Sequence, residues 1–242
     1  MVTAATDGPE GAALGRELGF PVAIVRSARA TRMAMKVDPA TRGVKVSAPA
    51  ALPVAAVAAF VRAHAGWARA RVGRLPPARP FAPGVSLPVL GVERVIAQDA
   101  ASRFPARLDD GPDGPRILVG RTEFVASRVE SLLKDVARRH IEAAARGKAA
   151  AVGRRVASVS VRDTVSRWGS CSSRGDLSFS WRLVFAPLDI VDYVVAHEVA
   201  HLLEMNHGPK FWKACAALSG VKPPHARAWL ARHGAALHGY GG

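Results

Sequence analysis

Short aliphatic runs dominate the first part of the chain. PVAIVRS (21–27), RMAMKVD (32–38) and GVKVSAP (43–49) carry apolar residues at the close spacing of strands, with turn chemistry between Asp38 and Gly43. The period then changes. LPVAAVAAFVRAHAGWARARVGRL (52–75) has apolar positions at helical spacing and Pro53 in its first turn, which predicts one helix. After the Pro-rich connector PPARPFAPG (76–84), VSLPVLG and VERVIAQ predict a hairpin around Gly91. DDGPDGPR (109–116) reads as a strong turn and as a boundary between two halves.

A long helical pattern follows from about Thr122 to Gly153. Three alternating runs come next: VASVSVRD (156–163), SRWGSCSS (166–173) and DLSFSWRLVF (176–185), the last two joined by a tight hairpin at 173–176. Pro187 and Asp189 open a further helix. Residues 1–19 are rich in Gly, Ala and acid without periodicity and are expected to be a disordered tail. The expected organisation is that tail, a β-rich region with one helix at 20–120, a second region at 121–236 and a C-terminal tail at 237–242. The class is α+β.

The helix after Pro187 carries VVAHEVAHLLEMNHG (194–208), and its chemistry is concentrated. His197 and His201 stand four apart, so on a helix both imidazoles reach one cation, and two neutral nitrogens suit Zn²⁺. Glu198 sits beside them as a base for a water molecule. His207, ten residues after His197, is the favoured third ligand. Glu204 competes for that place, but it lies about 10 Å along the helix axis from His197. Reaching the metal with His207 requires the helix to stop near Met205–Asn206, with Asn206 left-handed, and a new helix to begin at about Pro209. The apolar positions around the motif argue against a chance match on a solvated face, because a buried glutamate with two histidines needs partners.

Arg182 and Tyr193 are candidates for stabilising an oxyanion. Cys171 reads as a packed thiol rather than a nucleophile or fourth ligand, and Trp168, Trp181 and Trp212 read as core around the site rather than substrate platforms. His225, His233 and His238 are expected in an exposed tail; His64 and His140 have no ligand-like neighbours.

Composition narrows the class. The chain has 242 residues, 22% of them charged and 49% hydrophobic, as in ordinary globular proteins. Its two cysteines fit no disulfide framework, and no signal peptide or membrane span is evident, so a cytoplasmic protein without a membrane partner is expected. The net charge of +15 would attract polyanions. Its arginines are scattered, however, which leaves only weak association with nucleic acid through a basic surface.

The stretch 160–212 resembles the YgjP-like metallopeptidases, relatives of the SprT-like zinc proteases. The matching blocks are Arg167-Trp168-Gly169-Ser170-Cys171-Ser172, then Trp181-Arg182-Leu183, then His197, Glu198, His201, Asn206-His207 and Phe211-Trp212. RSARATRMAMKVD, GVKVSAP and FVRAHAGW extend the likeness to roughly residues 22–234. The resemblance implies a zincin-like catalytic half, zinc on His197, His201 and His207, and Glu198 as general base. The main expectation is a zinc metallopeptidase acting on peptides or unfolded proteins. A metal-dependent hydrolase of nucleoside triphosphates is the enzymatic alternative. A non-catalytic, nucleic-acid-associated protein with structural zinc is the other.

Overall fold

Val22 and Ile24 alternate toward one side of their strand, as do Val44, Val46 and Ala48 on theirs, and all five are buried together. In the computed structural model, which describes residues 8–39, 41–99, 101–121 and 123–241, they form the first of three mixed sheets. That sheet has the order β1-β3-β2, with β1 (Val22–Ser27) parallel to β3 (Gly43–Pro49) and β2 (Ala34–Asp38) antiparallel to it. Helices α1 (Pro9–Leu18), α2 (Val54–Ala63) and α3 (Ala65–Val72) cover it through Leu14, Val57, Val61 and Ala68.

Two expectations fail in this region. Much of the supposed disordered tail is α1, because Leu14 has a place in the core; residues 1–7 of that tail lie outside the described residues. The helix expected over 52–75 is two helices broken at His64, whose backbone leaves the helical region at φ −102°, ψ 8° and whose ring bonds the Phe60 carbonyl at 2.8 Å.

The chain divides into two compact units, 1–77 and 78–242. The division falls in the Pro-rich connector, where the turn at 109–116 had suggested a boundary at 120. That turn instead joins β6 (Ala106–Asp109) to β7 (Arg116–Gly120) within one antiparallel pair. With β4 (Ser86–Val89) and β5 (Val92–Asp99) they make a four-stranded sheet of order β4-β5-β7-β6. The β4–β5 hairpin turns at Leu90 and Gly91, both at positive φ, as a two-residue loop of matching twist demands.

The long helix α4 (Val125–Ala151) places Val129, Leu133, Val136 and Ile141 into the core of the second unit; the expected start at Thr122 lies outside the described residues. The third sheet, β8-β10-β9, combines β8 (Ser158–Arg162), β9 (Gly169–Cys171) and β10 (Asp176–Ser180). β10 is parallel to β8 and antiparallel to β9, with the predicted hairpin between β9 and β10. The apolar run after Ser180 does not continue the strand. Trp181–Phe185 coil into a 3-10 turn, all five of them buried.

Helices α5 (Leu188–Ala200), α6 (Pro209–Leu218) and α7 (Pro223–Leu237) complete the unit. Among the described residues, seven helices and three mixed sheets make an α+β protein. Among the described residues, no helix is long and apolar enough to cross a membrane.

Candidate metal centre

Helix α5 is apolar on most sides: Val191, Val194, Val195, Val199 and Ala200 are all buried. Its last turn carries the histidines. His197 lies within the helix and His201 caps it, with their ring centroids 5.2 Å apart. The helix ends earlier than the expected Met205–Asn206. Tight turn bonds from Leu202, Leu203 and Glu204 back to Val199 and Ala200 carry the chain onward, and Asn206 is not among the residues at positive φ. The return is made by this tightened turn, and α6 starts at Pro209 as expected.

The turn brings His207 back. Its Nε2 lies 3.0 Å from Nε2 of His197, and one ligand atom each of His197, His201 and His207 lie within 4.8 Å of one another. Two nitrogens sharing a tetrahedral ion at Zn–N of about 2.0–2.1 Å would stand about 3.3 Å apart, so this spacing fits a common metal. Nδ1 of His201 is 3.2 Å from the Glu204 carbonyl, which orients that ring and leaves Nε2 for the ion. Glu204 thus serves through its backbone, and its carboxylate is not among the converging groups. Burial, reinforced by the other two imidazoles and Arg227, pushes the pKa of His197 down to about 4; burial also lowers that of His201. Neutral imidazole, the form that ligates, is therefore favoured at both.

Glu198 is only 6% exposed, and desolvation pushes its pKa up to about 7 against the opposing charge of Arg167. β9 lies against α5, and Gly169 supplies the close approach: an ideal Cβ there would sit 2.5 Å from both Cγ and Oε1 of Glu198. Glu198 and His197 open onto a cleft of about 670 Å³ whose other walls are Trp168, Tyr193, Val194 and the α7 face from Pro224 to Ala231. Trp168 is therefore a cleft wall, while Trp181 is core as expected. Tyr193 also faces the cleft, 5.9 Å from His197 between ring centroids, and burial lifts its phenol to about 12, so it remains an O–H donor.

Arg182 does not join this site. It is buried within the 3-10 turn, where Nε and Nη2 bond Asp163 at 2.8 and 3.1 Å and Nη1 reaches the carbonyls of Tyr240 and His238 at 2.9 and 3.3 Å. Its three nitrogens are engaged with Asp163 and with the backbone of His238 and Tyr240, so the expected oxyanion role does not hold. For the same reason the expected tail at 237–242 is packed over 237–239, Gly242 lying outside the described residues: His238 is buried and stacks on Trp168, correcting its placement among exposed histidines. Cys171 is half-buried and its thiol is pushed up to about 11, consistent with a packed thiol. Two contributors escaped sequence reasoning, Gly169 and Arg227. The first lay inside a quoted motif with no stated role; the second sat in an ordinary helical stretch.

A family model described as YgjP-like, metallopeptidase domain, matches residues 31–233. That span contains every residue of the cleft and of the histidine cluster. The family implies a divalent metal, and the histidine triad is positioned to bind one. No curated protein and no solved structure matches the chain.

Proposed function

The chain belongs to the YgjP-like metallopeptidase family, and from that premise we propose that it is a zinc-dependent peptidase in which Glu198 is the general base. The observation that carries the reading is the convergence of three imidazoles next to a desolvated carboxyl in one open cleft. His197, His201 and His207 would hold the ion. When bound, Zn²⁺ supplies Lewis acidity, polarising a scissile carbonyl and making water a nucleophile near neutral pH.

The chain's own groups do the rest. Glu198, with a pKa near the working pH, accepts the proton of the attacking water at its carboxylate and returns it to the departing amine. Tyr193 donates its phenol O–H toward the developing oxyanion. β9 is an edge strand, and its outer N–H and C=O groups are suited to pairing with an extended peptide beside Glu198. Cytoplasmic residence and unfolded proteins as substrates belong to the same proposal.

The test is metal analysis of the purified protein and of Glu198→Gln, with both incubated against an unfolded-protein and peptide library and against nucleoside triphosphates. Stoichiometric zinc in both, with peptide cleavage only in the wild type, supports the reading. Peptide cleavage unchanged by Glu198→Gln, or pyrophosphate release with no peptide cleavage, overturns it.

A further inference from the structure

The lining of the cleft is mostly apolar, with Val194 on the metal helix and Trp168, Pro224 and Leu230 from other elements. Two charged side chains besides the metal-binding His197 line it, Glu198 and Arg227. Glu198 is occupied with the proton. Arg227 projects from α7, with its guanidinium carbon 5.4 Å from the centroid of Trp212. That ring braces the arginine without neutralising it, and among the described residues no carboxylate pairs with it.

A braced, unpaired guanidinium in an apolar wall has a planar fork of donors with no internal acceptor. Carboxylate is the group that answers it in a peptide, through two parallel N–H···O bonds. We infer that Arg227 is a specificity-determining residue that binds a substrate carboxylate close to the scissile bond, so that the cleft selects acidic peptide segments or the free C-terminal end of a chain. The inference rests on the peptidase reading for its kinetic arm, and its binding arm is independent of that reading.

The experiment uses the zinc-loaded full chain with peptides identical except for Glu, Gln or Lys within three residues of the cleaved bond, each as free acid and as amide. Arg227→Met keeps the stem on Trp212, Arg227→Lys keeps the charge without the fork, and Arg227→Glu reverses it. Thermal melting confirms that each variant is folded. In parallel, anisotropy measures binding of the same peptides to Glu198→Gln, where no turnover is needed.

Loss of one charge-assisted pair corresponds to roughly a tenfold change, so kcat/KM for the carboxylate-bearing peptide should exceed that of its neutral partner by about that factor. The preference should enter through KM, vanish in Arg227→Met, return in part in Arg227→Lys and turn toward the Lys peptide in Arg227→Glu. A Glu-over-Gln preference identifies a side-chain carboxylate; an acid-over-amide preference identifies the chain end. Equal cleavage of all peptides by the wild type, or a uniform fall in kcat in Arg227→Met, overturns the inference and leaves the peptidase standing. Arg227-dependent binding of carboxylate peptides without turnover by any protein does the reverse. Arg227-dependent binding of a nucleoside triphosphate but of no peptide overturns both.

Discussion

A methyl group at position 169 would collide with Cγ and Oε1 of Glu198, so the carboxylate is where it is because the strand beside it lacks a side chain. Gly169→Ala should push Glu198 from its place while leaving the sheet paired. Because a misplacement of about 1 Å can cost roughly 10²-fold, kcat should fall by about that factor with little change in bound zinc or melting temperature. Activity within a few-fold of wild type would show that Glu198 finds another productive rotamer. The same carboxyl supplies a pH prediction. Its pKa rises from 4.5 to about 7 on folding, so folding favours the protonated form. That contribution is complete below the unfolded value and is lost as pH rises through about 7. Glu198→Gln never ionises. In the metal-free protein its stability relative to wild type should therefore improve by on the order of 2 kcal/mol between about pH 4 and about pH 8, measured by urea unfolding. A constant difference across that range would mean that the carboxyl stays hydrated. The His197–His201 pair and the glutamate beside it were legible in the sequence because one helix places them by spacing alone. Gly169 and Arg227 act across the fold on residues distant in sequence, and no local pattern marks them.

The elements show where local pattern reading stops. Strands β1–β3, the two hairpins and α4 through α6 follow from periodicity and turn residues, whereas α7 stands where an exposed tail was expected. The 3-10 turn at Trp181–Phe185 does not, because five consecutive buried residues satisfy a strand or a coil equally well until packing decides. In that turn Arg182 ties Asp163 to the backbone of His238 and Tyr240. Arg182→Ala strips several charge-assisted bonds from a buried position. It should lower stability by about 2–3 kcal/mol, read by denaturant midpoint, while zinc content of the folded protein stays at wild-type level. An unchanged midpoint with lost turnover would restore Arg182 to the chemistry. The break at His64 was equally hidden, since apolar spacing runs through it without interruption.

At the scale of the molecule, each unit has its own buried core, and the metal cluster and cleft lie wholly within residues 78–242. A fragment of those residues should fold cooperatively and bind one zinc, as circular dichroism and metal analysis would report; a fragment that stays unfolded would show that the second core is insufficient alone. Metal binding should also stabilise the native state. At about a hundredfold excess over the dissociation constant the gain is about 2.7 kcal/mol. For a unit of this size that corresponds to a rise of several degrees in melting temperature over the chelated protein. His207→Ala should abolish most of the rise, because His207 is the exposed member of the histidine triad and the one furthest from α5 in sequence. The +15 charge, conspicuous in the sequence, left little mark on the site, where Arg227 is the one arginine among the cleft-lining residues.

Just past the helix that forms the far bank of the cleft, Arg182 grips the carbonyls of His238 and Tyr240, and Tyr240 also pairs with Arg79. A protease that nicked the chain just past Leu237 would cut that mooring without touching the imidazoles of His197, His201 or His207. Such clipped molecules would still register full occupancy in a metal assay while handling substrate poorly, so intact mass, not zinc content, is the proper gauge of a preparation's quality.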